Sequence, residues 1–535
     1  MAANLLPWAR RALGAYFGNP IALRDYRTQL RGVKALVLWG TYLFFLILIA
    51  VLFYLSILSS GSQVSIAFVQ SELHTFYQRL MWLLGGTVAM ITPAFTAASV
   101  VAERQHGSFD LLFSTPLRLK DFLVGRMLSS YRYTWMLLIL SLPVTAVGVM
   151  LGGATWVDVI YAYLLLSVIG LFYSAVGLLI STLTAKPVSA VIWTYAVVGI
   201  IVLVTFIYYQ VAYFGPAFFG GPSITNEFPL QGAFSTFGVV EVAPTHSLLF
   251  GTEVPNLILV CVVVLLLVKL LVLGAASALS PYASPETKSL RVHGLIYVAA
   301  AALVIGYGTT NGTVGASAFA GGFGPAAFSP GTPFSDIWLG IDIMLVTGAV
   351  LALLFIPRIT CHGRDAERRS RPDGIFNSRR AFLGTPSGAL PYLLLLVITA
   401  GAGAAAGLAW AARGQPDLLP LGLAVVATRV YWAAGCLVFA WSLGRLASVW
   451  TSKVGVARAL HLVILIGLLV LPIPMLSLLS VAGPDLWNVH PLYVHGSAGT
   501  APLLWGTALL FVGVVVAAAT RGNERSRPVR LEERG

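Results

Sequence analysis

The chain has 535 residues, 58% of them hydrophobic and only 10% charged, with a mean hydropathy of +0.86. A soluble globular protein carries about 25% charged residues, so this chain lacks the polar surface to cover itself in water and lipid must solvate much of it. A net charge of +13 would point a soluble protein toward nucleic acid, but in a membrane protein Lys and Arg collect in cytoplasmic loops.

In chain order, Leu5 to Gly18 holds no long apolar core and is interrupted by Arg10 and Arg11, which argues against a cleavable signal. Asn19-Pro20 then reads as a helix start, with Asn as cap and Pro in the first turn. Behind it Arg24, Arg27, Arg31 and Lys34 recur at helical spacing beside a stripe of Leu23, Tyr26, Leu30 and Val33. The pattern predicts an amphipathic helix lying at the interface before the first span; a plain basic anchor is the simpler alternative.

A span needs about 20 mostly apolar residues. The segments that qualify are Ala35–Leu58, Leu80–Ala102, Met127–Leu151, Val157–Thr184, Val188–Gln210, Asn256–Ser280, His293–Tyr307, Ile337–Pro357, Ala389–Ala411, Leu419–Leu443, Ala459–Ala482 and Pro502–Thr520. The expectation is an all-α polytopic protein of about 12 transmembrane helices with N and C termini cytoplasmic, in a bacterial inner (plasma) membrane. With the N-terminus inside, the inner segments hold about 28 of the 33 Lys and Arg, the bias that the positive-inside rule requires. Orientation therefore accounts for the basic balance, and no nucleic acid partner is expected. Two long outer loops, Val211 to Pro255 and Thr309 to Asp336, are rich in Gly, Pro, Phe and Ser. They read either as loose connections or as short re-entrant or interfacial helices. Residues 521–535 read as a charged, disordered tail.

The second span is expected to continue beyond Ala102 as a cytosolic helix through Glu103, Arg104, His106 and Asp110. It would close on Leu111, Leu112 and Phe113 before Pro116 breaks it. Exposed Leu-Leu-Phe on a charged helix implies a cover, since apolar patches mark contact sites. The protein's own helix ends could supply it, or a partner domain could.

The ordered set resembles the permease subunit of ABC exporters of the type-2 class. It runs Asn-Pro with a basic helix, a span, then Pro, small residues and Glu-Arg-x-x-Gly-x-x-x-Leu-Leu-x-x-x-Pro. The likeness covers roughly residues 19–280, about half of the chain. It implies an elbow helix at Asn19, Pro20, Arg24, Arg27 and Arg31. It also implies an ATPase-docking coupling segment at 103–116, carried by Glu103, Arg104, Gly107, Asp110, Leu111, Leu112, Thr115 and Pro116, with Gly125 and Arg126 opening the third span. Where the family commonly places acidic residues, Asp110 matches and Gln105 departs. The resemblance implies no chemistry in this chain: a separate cytosolic ABC ATPase, in two copies, would supply ATP and Mg. The sequence agrees, for it contains no Gly-x-x-x-x-Gly-Lys-Ser/Thr and no Gly-Lys pair.

The expected organisation is an N-terminal stretch 1–34, a six-span permease unit 35–280, six further spans over 281–520, and the tail. The later spans read as a degenerate repeat or as accessory helices. Ala366-Glu367-Arg368 and Phe382-Leu383-Gly384-Thr385-Pro386 echo Ala102-Glu103-Arg104 and Phe113-Ser114-Thr115-Pro116 at different spacing. A true repeat would make one chain a pseudo-dimer; otherwise a homodimer or a partner permease is required. Arg132, Lys269, Asp342 and Arg429 fall within apolar runs, where a charge costs about 2.5 kcal/mol or more at mid-membrane. Arg132 is placed to snorkel, whereas Lys269 and Arg429 suggest pairing with Asp342 or a polar cavity. Gly and Ala over Ala400–Ala411 suggest close helix packing.

Cys261, Cys361 and Cys436 stand far apart without metal spacing, so neither a disulfide framework nor a metal site is expected. No His-Glu-x-x-His, Gly-x-Ser-x-Gly or Asp-x-Asp occurs, which argues against an enzyme. The rival readings are a 12-span secondary transporter, which leaves 103–116 unexplained, and a membrane assembly protein without transport.

Overall fold

A computed structural model of the chain describes residues 33–59, 66–105, 119–184, 186–219, 246–250, 252–280, 285–310, 382, 388–414, 419–451, 454–465 and 501–526. The helices are α1 (Val33–Ser59), α2 (Ile66–Ala97), α3 (Ser99–Gln105), α4 (Leu119–Met150), α5 (Trp156–Leu183) and α6 (Pro187–Phe219), followed by α7 (Asn256–Leu279), α8 (Pro285–Thr310), α9 (Ala389–Ala411), α10 (Leu419–Trp450), α11 (Val454–Leu465) and α12 (Ala501–Ser526). Among the described residues, eight helical stretches are long and apolar enough to cross a membrane. The protein is a polytopic, largely helical membrane protein.

Eight of the twelve expected spans fall on those eight stretches, with informative differences at their ends, whereas Val188–Gln210 and His293–Tyr307 fall on α6 and α8, helices that are not among the eight. α2 starts at Ile66 rather than Leu80. Residues 66–79 include Gln70, Glu72, His74, Gln78 and Arg79, too polar for a hydrocarbon core but good helix formers. α4 starts at Leu119 rather than Met127, because its first turns bury Phe122 and Leu123. α6 runs to Phe219, into the expected outer loop. That loop also holds a two-stranded element, β1 (His246–Leu249) with β2 (Thr252–Pro255), so the described chain is not purely helical. The expected span Ile337–Pro357 lies outside the described residues, and Ala459–Ala482 is described only to Leu465.

The chain divides into two compact units, residues 1–210, 228–247 and 253–280, and residues 211–227, 248–252 and 281–535. In the first, α5 is the central helix, packed against α2, α3, α4 and α7. Small residues Gly170, Ser174, Gly177 and Ser181 recur along it at helical spacing, the pattern that lets membrane helices approach closely. A Cβ on Gly170 would press on Val88 and Thr134, and one on Gly177 would collide with Thr96 Oγ1 and crowd the Pro93 carbonyl. At its N-terminus Thr155 caps α5 in a reciprocal box: Asp158 N donates to Thr155 Oγ1 (3.3 Å), and Thr155 N donates to the Asp158 carboxylate (2.9 Å).

The second unit uses the same device. α8 meets α9 across Gly403 and Gly407, where an added Cβ would strike the carbonyls of Ala299 and Leu303, so Ala400–Ala411 serves close packing. α10 meets α12 through Gly435 and Gly506, each against the other's helix backbone. α11 joins α10 through His461, whose Nε2 lies 2.8 Å from the Ala440 carbonyl.

Candidate functional site

The segment singled out by sequence begins where α2 ends. The expected continuous helix through Ala102 is interrupted: Ala98 is a turn, and α3 restarts at Ser99. Upstream, Pro93 lies inside α2 and lacks the backbone N–H that would reach the Ala89 carbonyl. Nearby carbonyls also take side-chain donors. Thr96 Oγ1 donates to Pro93 O (3.2 Å), Ser99 Oγ to Thr96 O (2.8 Å), and Tyr195 Oη of α6 to Met90 O (2.8 Å).

A helix that restarts has unpaired N–H groups in its first turn. In α3 two of these are met from another span: Val100 N and Val101 N both donate to Ser181 Oγ of α5, at 3.2 and 3.3 Å. The next turn returns the favour, because Arg104 donates to Thr182 O (3.4 Å) and Thr184 O (3.5 Å), carbonyls at the C-terminus of α5. A guanidinium there also suits the negative end of the helix dipole. Glu103, beside it, forms an ion pair with Arg126 of α4, both side chains being roughly one-fifth exposed. The guanidinium of Arg126 also lies 5.9 Å from the Phe122 ring.

Glu103 and Arg104 thus tie α3 to two other spans. The structure brings together Glu103, Arg104 and Arg126 from the sequence pattern. Gly107, Asp110, Leu111, Leu112, Thr115 and Pro116 lie outside the described residues, as do Asn19, Pro20, Arg24, Arg27 and Arg31. The Ser181 anchor escaped sequence reading. Its only trace is its place in the small-residue stripe of α5, which signals packing rather than a hydrogen bond to a span some eighty residues earlier.

Within the bundle, hydroxyls bridge neighbouring spans. Tyr163 Oη lies 2.8 Å from Ser141 Oγ and 3.0 Å from Thr145 Oγ1, and Thr92 Oγ1 lies 3.0 Å from Thr134 Oγ1. Of the intramembrane charges, Lys269 is exposed on α7 of the first unit and Arg429 is 1% exposed on α10 of the second, while Asp342 lies outside the described residues.

Beside this bundle α1, α2 and Tyr195 of α6 enclose an open groove of about 950 Å³. It extends from Val37 to Ile49 along α1 and from Leu83 to Phe95 along α2. Among the described residues, no group of three or more His, Cys, Asp or Glu is placed to hold a metal ion. No protein-family model matches the chain, and no characterised relative matches it.

Proposed function

We propose that the chain is the membrane-spanning permease subunit of an ABC exporter of the type-2 class, in a bacterial inner membrane with both termini cytoplasmic. It would form the translocation pathway and couple it to ATP hydrolysis on a separate ATPase subunit. The observation that carries this reading is the triple attachment of α3 by Ser181, Arg104 and Glu103. A segment that receives force from a moving partner must be fastened to the spans it moves, or the force is spent in local flexing. Rigid-body rotation transmitted through packed helix ends is a familiar way to convert a remote event into bundle motion. Here the fastening joins the start of the 103–116 segment to α4 and α5, and Leu111 and Leu112 follow as its apolar contact surface in sequence. The chain binds no ATP in this reading; ATP and Mg belong to the ATPase.

The test is association. The reading requires that a neighbouring gene encode a Walker-type ATPase that co-purifies with the chain, and Leu111→Asp with Leu112→Asp is expected to abolish that association while the variant keeps its unfolding temperature. Undiminished association refutes the docking assignment. A secondary transporter would show no ATPase association in either form, and a membrane assembly protein no transport in reconstituted vesicles.

A further inference from the structure

The chain passes from α2 straight into α3, but the first hydrogen bonds of α3 point to another span. In an unbroken helix the N–H groups of Val100 and Val101 would reach the carbonyls of Thr96 and Ala97. Both donate to Ser181 Oγ of α5, and the Thr96 carbonyl takes Ser99 Oγ at 2.8 Å. A side chain inserted into the helix ladder is a place where a helix bends, and Ala98 is a turn there. Val100 and Val101 are fully buried, so an N–H that left Ser181 would lose its partner at high cost.

The far end of α3 is held by the same span. Arg104 donates to Thr182 O and Thr184 O, so both turns of α3 are fastened to one stretch, residues 181–184. That span is well seated to carry them. It is the most buried of the eight apolar stretches, and its Gly170 and Gly177 leave no room for a Cβ against α2 and α4. The Glu103–Arg126 pair adds α4, but water partly reaches it, so it is the weaker fastening. Between α2 and α3 the bond from Ser99 Oγ to Thr96 O stays within a single turn and fixes no span against another.

We infer that α3 is carried by α5 rather than by α2, the span it continues in sequence, and that Ser181 is the residue that positions it. Resting on the permease reading above, load applied to the 103–116 segment enters the bundle at residues 181–184 of α5. The turn at Ala98 lets α3 tilt without driving α2 along its own axis.

Amide hydrogen exchange of the full chain in phosphatidylcholine nanodiscs tests the carriage without any ATPase. In Ser181→Ala, exchange over residues 99–105 should rise about tenfold or more, because two buried donors lose their acceptor. Exchange over residues 84–92 of α2 should stay at the parent rate. Ser181→Thr keeps the hydroxyl and should restore the parent rate over 99–105. Should Ser181→Ala fail to accumulate, Arg104→Gln at the exposed end of α3 should raise exchange over 102–105 alone. No rise in α3, or an equal rise over 84–92, overturns the inference. A second arm adds the ATPase. Its binding should slow exchange over 99–105 and 178–184 together in the parent and in Ser181→Thr, but over 99–105 alone in Ser181→Ala, a decoupling that simple destabilisation does not produce. Slowing that reaches 84–92 in place of 178–184, or that spreads alike in Ser181→Ala, also overturns it. A failed permease reading would appear as absent ATPase binding with the first arm intact, and a failed carriage as the reverse.

Discussion

The hydroxyl of Ser181 accepts hydrogen bonds from the backbone N–H groups of both Val100 and Val101, at 3.2 and 3.3 Å. One side chain of α5 therefore satisfies two donors at the start of α3, at a point where both valines are fully buried. A buried donor left without a partner is costly, which makes this contact a sensitive place to test the architecture.

Ser181→Ala leaves two buried donors unpaired, at about 1–3 kcal/mol for each such group. The variant should lose on the order of 2 kcal/mol of unfolding free energy in detergent. Ser189→Ala, whose hydroxyl donates to Lys186 O at an exposed site, should change stability by less than about 0.5 kcal/mol. Equal losses in the two variants would remove the special role of Ser181.

The Glu103–Arg126 pair joins α3 to α4 at a site that water partly reaches, so solvent screening limits its worth. Glu103→Gln and Arg126→Gln should each cost about 1 kcal/mol at most. The exchanged pair Glu103→Arg with Arg126→Glu should recover more than half of the loss found in either charge reversal alone. A double-mutant cycle on the midpoint of thermal unfolding measures this. A coupling that does not shrink when salt is raised would contradict a pair that water partly reaches.

Gly177 packs where a side chain has no room. Gly177→Val should destabilise the first unit by about 1–3 kcal/mol through overpacking against Thr96 and the Pro93 carbonyl. Thr96→Ala removes the nearer obstacle and should partly rescue Gly177→Ala. Gly199, with nothing within 4 Å of an added Cβ, should accept Ala without loss. Protein yield and unfolding temperature in one detergent rank the four variants.

In the second unit an added Cβ at Gly407 would strike the Leu303 carbonyl and the Tyr307 backbone nitrogen, and backbone cannot move aside as a side chain can. Gly407→Val should therefore prise α8 from α9 at a cost of about 3 kcal/mol or more. A fall in protein yield and unfolding temperature relative to the unsubstituted chain, measured in one detergent, checks this.

The membrane class and the placement of eight of the twelve expected spans were legible in the sequence, because lipid imposes a local demand. A stretch of about 20 apolar residues announces itself whatever its neighbours are, and Ala389–Ala411 coincides end to end with α9. Helix ends beyond the hydrocarbon were less legible. Residues 66–79 and 119–126 are helical because packing and helix propensity hold them, and hydropathy is blind to both. The Gly- and Ala-rich stretch Ala400–Ala411 could be read as close packing, but not which helix it would meet, and the small-residue stripe at Gly170–Ser181 was not read from the sequence at all.

The sequence by itself determined a many-span helical membrane protein and marked Glu103, Arg104 and Arg126 as residues worth asking about. Only the tertiary structure decided that one helix ends and another starts at Ala98, that Ser181 and the C-terminal carbonyls of α5 hold the new helix, that Glu103 meets Arg126, and that α1 and α2 leave an open groove between them. The physical reason is range. Burial in lipid is a property of each segment alone, whereas a hydrogen bond between Val100 and Ser181 or the width of a groove depends on where two distant segments come to rest. A single hydroxyl in a stripe of small residues carries no local mark of which backbone it will cap.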